Sequence, residues 1–103
     1  MSGKPDYHKL CKAHLRGLCQ TFRLREVPRL YTAKWPAHFG KKTLGVYDHH
    51  TNSIYLNLAA HKGSIAEMYD TIGHELAHHV TRHKSAHGRE WRKAAKRFGA
   101  TTP

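Results

Sequence analysis

The chain is poor in cysteine and in acids and has no long apolar run, and each shortage removes a class of protein. Cys11 and Cys19 are the only thiols in 103 residues. In a helix their eight-residue spacing holds the backbones roughly 12 Å apart at 1.5 Å per residue, beyond the reach of a disulfide. No Cys-x-x-Cys pair is present, which argues against a zinc role for them. Two free thiols fit a reducing compartment, so a cytoplasmic location is expected. No stretch of about 18 apolar residues occurs, so no membrane span is expected, and Met1 to Asp6 lacks the basic start and apolar stretch of a secretion signal. Asp plus Glu number 7 against 18 Lys plus Arg, a net charge of +11 that excludes an acidic scaffold and favours a polyanionic partner, with nucleic acid first. Repeats and low-complexity linkers are also missing. One domain over residues 1–103, with its core in about 5–99, is therefore expected.

What remains supports a small core. The hydrophobic fraction is 39%, with two Trp, five Tyr and three Phe, richer than a disordered chain. Histidine is abundant at 11 residues, and neutral imidazole is the side chain most often used to hold a transition metal. Tyr7, Leu10, Cys11, Leu15 and Leu18 recur at helical spacing and predict a helix over 5–22. Val27 to Trp35, Thr43 to Tyr47 and Ser53 to Leu58 read as strands. In the third, Ile54, Leu56 and Leu58 alternate onto one face, and Asp48 to Asn52 supplies turn chemistry before it. Ser64-x-x-Glu67 is a capping box that opens a helix with Ile65, Met68, Tyr69, Ile72, Leu76 and Val80 in one stripe. A polar loop, Arg82 to Gly88, precedes a last amphipathic helix with Trp91, Ala94, Ala95 and Phe98 inward and Gly99 as its stop. The expected fold is α+β: a short antiparallel sheet of about three strands packed on an N-terminal, a central and a C-terminal helix.

The central helix carries His74-Glu75-Leu76-Ala77-His78, the His-Glu-x-x-His pattern of zinc peptidases. At about 100° per residue His74 and His78 project from one side a turn apart and can share one ion. Glu75 lies beside that face, placed to take a proton from an attacking water. Three histidines compete for a third ligand position. His79 is turned about 100° away from His78, and His83 would lie about 140° away if the helix persisted. His87 needs the chain to turn back, which Thr81 to Ala86 and Gly88 permit, and it is the reading adopted. Glu90 is the carboxylate alternative, although in the first turn of the last helix it is favoured by the helix dipole anyway. The extended metzincin pattern would need Gly at 81 and His at 84, where this chain has Thr81 and Lys84. Zinc, one ion, is the expected cofactor.

His74-Glu75-Leu76-Ala77-His78 followed after eight residues by His87-Gly88-x-x-Trp91 resembles the SprT-like metallopeptidase family. Gly45, the strand Ile54-Tyr55-Leu56-Asn57 and Thr71 are similar to that family's hairpin and to the threonine before its His-Glu pair. The resemblance implies a small zincin-like domain with zinc on His74, His78 and His87, Glu75 as general base, and a protein or peptide substrate. Relatives of this type include the Spartan proteases, which digest proteins crosslinked to DNA. No cysteine follows Cys19, so the C-terminal zinc ribbon of the family's larger relatives is not expected here.

Charge is uneven along the chain. Residues 1–45 are net +8, residues 46–81 net −3 and residues 82–103 net +6. Lys9, Lys12 and Arg16 on the first helix, and Arg89, Arg92, Lys93, Lys96 and Arg97 on the last, are expected to contact phosphates non-specifically, since no base-reading motif occurs. Tyr47, His49, His50 and Tyr69 are candidates for a second oxyanion donor, and the third strand, if an edge, could pair with an extended substrate. Two rivals remain at this stage: an ImmA/IrrE-like minimal zincin with a carboxylate ligand, and a basic nucleic-acid-binding protein with structural zinc, for which His83 could be a fourth ligand. A monomer is the simplest expectation.

Overall fold

The structure, a computed structural model, describes residues 5–81 and 87–101. His83 and most of the expected Arg82 to Gly88 loop lie outside the described residues.

Asp6 starts the first helix, α1 (Tyr7–Thr21), by accepting from the Lys9 backbone N–H at 3.0 Å. Its buried residues are Cys11, Leu15 and Cys19. Both cysteines are free, and burial pushes the Cys11 thiol up to about 11, which keeps it protonated and unreactive.

Three short strands follow: β1 (Arg29–Tyr31), β2 (Gly45–Asp48) and β3 (Ser53–Leu56), in the order β1-β3-β2. β2 pairs antiparallel with β3, with Val46 opposite Tyr55 and Tyr47 opposite Ile54. β1 pairs parallel with β3, so the sheet is mixed instead of purely antiparallel. The cause is the connection 32–44, which carries the chain over the end of β3 to the far edge. Asn57 fixes that crossing: its side-chain amide donates to the carbonyls of Lys41 and Thr43, both at 3.0 Å, and its N–H donates to Leu44 at 2.9 Å.

The same crossing explains two shortened strands. The first was expected to run to Trp35 but ends at Tyr31. Trp35 instead donates to the Gly40 carbonyl at 2.8 Å and packs edge-on against Phe39, which packs on Tyr55. The third was expected to reach Leu58, but Asn57 is committed to the connection and Leu58 opens a one-turn helix, α2 (Leu58–His61). Ile54 and Leu56 are fully buried on one face as expected. Because β3 is central, it is not available as an edge for an extended substrate; the edges are β1 and β2.

The central helix, α3 (Ile65–Thr81), is capped by the Ser64 hydroxyl, which accepts from the Glu67 N–H at 3.2 Å. The last helix is α4 (Arg89–Arg97). α1, the sheet and α4 all pack on α3. One continuous core joins Leu15, Ile54, Leu56, Met68, Ile72, Leu76 and Trp91. Gly73 decides how close α4 comes: a Cβ there would stand 2.7 Å from the Phe98 carbonyl oxygen, inside contact distance. Thr101 closes the C-terminal end, donating from its N–H and its hydroxyl to the Asp70 carboxylate at 3.0 and 2.6 Å. Among the described residues no helix is long and apolar enough to cross a membrane.

Candidate metal centre

His74 and His78 stand one turn apart on α3, and the chain returns to bring His87 against them. His87 is left-handed, with φ 59°, and is followed by Gly88, the N-cap of α4. Nitrogens of His74, His78 and His87 all lie within 4.8 Å of one another. The ring centroids form a near-equilateral triangle, at 5.3, 5.0 and 5.0 Å. His78 Nε2 and His87 Nε2 are 3.2 Å apart, close to the roughly 3.3 Å that separates two nitrogens bound at 2.0–2.1 Å to a tetrahedral ion. The residues present therefore fit a metal ion such as zinc.

Trp91 is the wall that aligns the rings. Its indole is 2% exposed and lies 4.6, 5.3 and 4.3 Å from the His74, His78 and His87 rings. Its N–H donates to the His74 carbonyl at 3.3 Å, so one side chain both packs the imidazoles and ties α4 to α3. Burial, with the charges His74 and His87 would carry if protonated, pushes the His78 imidazole down to about 4. It is thus neutral at physiological pH, the state in which a nitrogen lone pair can bind a cation.

Glu75 sits beside the triangle, not in it. Its Oε2 is 3.9 Å from His74 Nε2, and the residue is 6% exposed. Burial raises this carboxyl to about 7, against the opposing effect of the Tyr47 backbone N–H, which hydrogen-bonds to it. That bond depends on Gly45. A Cβ at position 45 would meet Thr71 Cγ2 at 2.6 Å and Glu75 Cγ at 3.3 Å, so only glycine lets β2 lie this close to α3. Thr71 is held in turn: its hydroxyl donates to the Glu67 carbonyl at 3.0 Å and stands 2.8 Å from Nε2 of the buried His61. His61 Nδ1 lies 2.7 Å from the Asn57 carbonyl, linking the end of β3 to the helix turn just before Glu75.

The competing residues fall elsewhere. His79 is buried on the sheet side, its Nδ1 3.1 Å from the Tyr47 hydroxyl, which donates to Asn52 at 2.9 Å. Glu90 is exposed, and among the described residues the one acid-and-histidine cluster able to hold a metal contains His87 and not Glu90. Tyr69 stacks on His14 at 3.9 Å, and His49 and His50 lie exposed at the β2–β3 turn. Arg89, Arg92, Lys93, Lys96 and Arg97 all lie exposed on α4, opposite buried Trp91, Ala95 and Phe98. Lys9, Lys12 and Arg16 are exposed on α1.

Sequence reasoning did not identify the Tyr47 N–H or His61 as supports. A backbone donor has no residue-type signal, and His61 is one histidine among eleven. Gly45 and Thr71 were the legible traces of the contact that carries the Tyr47 bond.

A model described as the SprT-like family matches residues 11–103 of the chain. No curated protein and no solved structure matches it.

The buried carboxyl makes a prediction for the metal-free protein. A carboxyl raised from 4.5 to about 7 in the fold favours folding fully below its unfolded value, and that contribution is lost as pH rises through 7. Glu75→Gln removes the penalty of burying a carboxylate, on the order of 3 kcal/mol at 1.36 kcal/mol per pH unit. Its thermal midpoint in chelator should exceed that of the parent chain at pH 8, and the gap should shrink towards pH 5. His78 titrates in both proteins and cancels. A gap of the same size at both pH values would show that Glu75 is not perturbed.

Proposed function

The chain belongs to the SprT-like family, which is associated with zincin-like metalloproteases, and on that premise we propose that it is a zinc-dependent endopeptidase. The observation that carries the reading is the convergence of three imidazoles with a buried carboxyl held beside them by a backbone N–H. In this reading His74, His78 and His87 hold the ion. Zinc bound there supplies Lewis-acid polarisation of a peptide carbonyl and brings the pKa of water to about 7.

The chain's own residues do the rest. Glu75 is the general base: a carboxyl poised near neutrality accepts a proton on Oε from the attacking water and can return it to the leaving amine nitrogen. The Tyr47 N–H keeps one carboxylate oxygen directed and limits how far burial raises the carboxyl. His78 keeps its lone pair because burial opposes its protonation. Trp91 covers one side of the imidazole triangle and restricts water there. The edge strand beside Glu75 is β2, so an extended substrate is proposed to lie along β2, not along β3.

Two rivals are less well supported. A carboxylate-ligand zincin would need Glu90 in the cluster, where His87 is found. A structural zinc would need a fourth protein ligand; the described residues supply three, and His83, the candidate for the fourth, lies outside them. Two buried free thiols support placing the protein in a reducing, cytoplasmic compartment.

The five exposed cations of α4 support a non-specific contact with nucleic acid, which would hold the protease near proteins on DNA. On α1, Lys12 and Arg16 instead line a cleft.

Glu75→Gln should keep zinc and lose about 10²–10⁴-fold in proteolysis, the usual contribution of a general base. Full activity with zinc bound would remove Glu75 from the mechanism. Lys93→Glu combined with Arg97→Glu should weaken duplex DNA binding and flatten its dependence on salt by roughly one to two phosphate contacts. An unchanged salt slope would remove α4 from the contact.

A further inference from the structure

We propose that the cleft between α1 and β1 is a docking site for an acidic protein segment that seats an apolar side chain between flanking carboxylates. The cleft lies along the β1 edge of the sheet, and β3 separates β1 from β2, the strand whose Tyr47 holds Glu75. It is therefore distinct from the metal centre, and its role does not depend on what that centre does.

The cleft measures about 430 Å³, within the size range of pockets that hold a few side chains. Lys12 and Arg16 come from α1 and Arg29 from β1, while Val27 and Leu30 supply apolar surface above the buried Leu15. No carboxylate lines it, and among the described residues Lys12, Arg16 and Arg29 have no ion-pair partner. A second depression, about 440 Å³, shares Lys12 and Arg16 and adds Lys9, extending the cationic surface along α1. Val27 is 49% exposed although it is large and apolar. Three unpaired like charges around exposed aliphatic surface are complementary to a ligand that brings both negative charge and an apolar group.

A nucleic-acid strand satisfies only half of that surface. Phosphates would meet Lys9, Lys12 and Arg16, but bases stack on aromatic faces, and the one aromatic that lines the cleft, Tyr31, is already stacked on Tyr55 with ring centroids 5.0 Å apart, while Val27 and Leu30 are aliphatic. An acidic peptide covers charge and aliphatic surface together. It does not do so by adding a strand. Arg29 spends its N–H on the Asn52 carbonyl at 3.0 Å, so alternation turns Leu30 outward, and the next outward position before it is Pro28, which has no N–H to offer. The partner is thus held through its side chains.

Selection of random peptides displayed on phage against the full chain, at physiological salt, tests this. Enriched peptides should combine Asp or Glu with Leu, Ile or Phe. A synthetic copy of one should lose about tenfold or more in affinity, equivalent to 1.4 kcal/mol, both in Lys12→Glu/Arg16→Glu and in Val27→Ser. These positions are exposed, and unchanged thermal midpoints would show that the variants fold. Peptides captured by the metal centre would bind the variants as well as the parent. The proposal is overturned if nothing is enriched, if enriched peptides lack acids, or if they bind both variants undiminished. It is also overturned if oligothymidylate binds instead, sensitive to the charge reversals but indifferent to Val27→Ser, which would make the occupant nucleic acid.

Discussion

Helix α3 has to bury Met68, Ile72 and Leu76 in the core while presenting His74 and His78 on another side, and its neighbours must approach closely enough to fix both faces. Two glycines make that approach possible. Gly73 lets the end of α4 reach the helix backbone, which holds the Trp91 indole against all three imidazoles. Gly45 lets β2 lie against Thr71 and Glu75, which brings the Tyr47 N–H to the carboxyl. A methyl group at either position would push away one of the two elements that shape the centre. Packing and chemistry are therefore constrained by the same contacts.

The electrostatics follow from that closeness. Burial acts on Glu75 and His78 in opposite directions, raising a carboxyl and lowering an imidazole, so both lean towards their neutral forms without a cation. For His78 the neutral form is the metal-binding one. For Glu75 it places the carboxyl near the pH at which proton transfer in both directions is feasible. A small core leaves little stability to spare, so a cation that binds only the folded arrangement of His74, His78 and His87 would stabilise the fold as well.

Most of the helical architecture was legible because its signals are local. The Ser64 cap, Gly99 and the apolar stripes of α1, α3 and α4 each act within a few residues. The pairing of His74 with His78 follows from helical periodicity alone, whereas the polar stretch Thr81 to Ala86 only permits the arrival of His87 and leaves Glu90 as an alternative. The sheet was less legible. Alternation identifies Ile54 and Leu56 as inward, but nothing in a strand's own residues says that β1 pairs parallel or that Asn57 anchors a crossing connection. The Tyr47 contact was hidden for the same reason: it joins residues 28 positions apart through a backbone group.

Charge and histidine, both in excess, have separate places in the structure. Three cations of α1 and five of α4 lie exposed, whereas the three clustered histidines stand where α3 meets α4. Of the other histidines, His61 and His79 are buried partners of Thr71 and Tyr47. The central claim is that His74, His78 and His87, and no carboxylate, hold the metal. Zinc content of the purified full chain, compared with His87→Ala and Glu90→Ala, tests it most directly. The account predicts one zinc per chain, kept by Glu90→Ala and lost by His87→Ala; zinc kept without His87 and lost without Glu90 would contradict it.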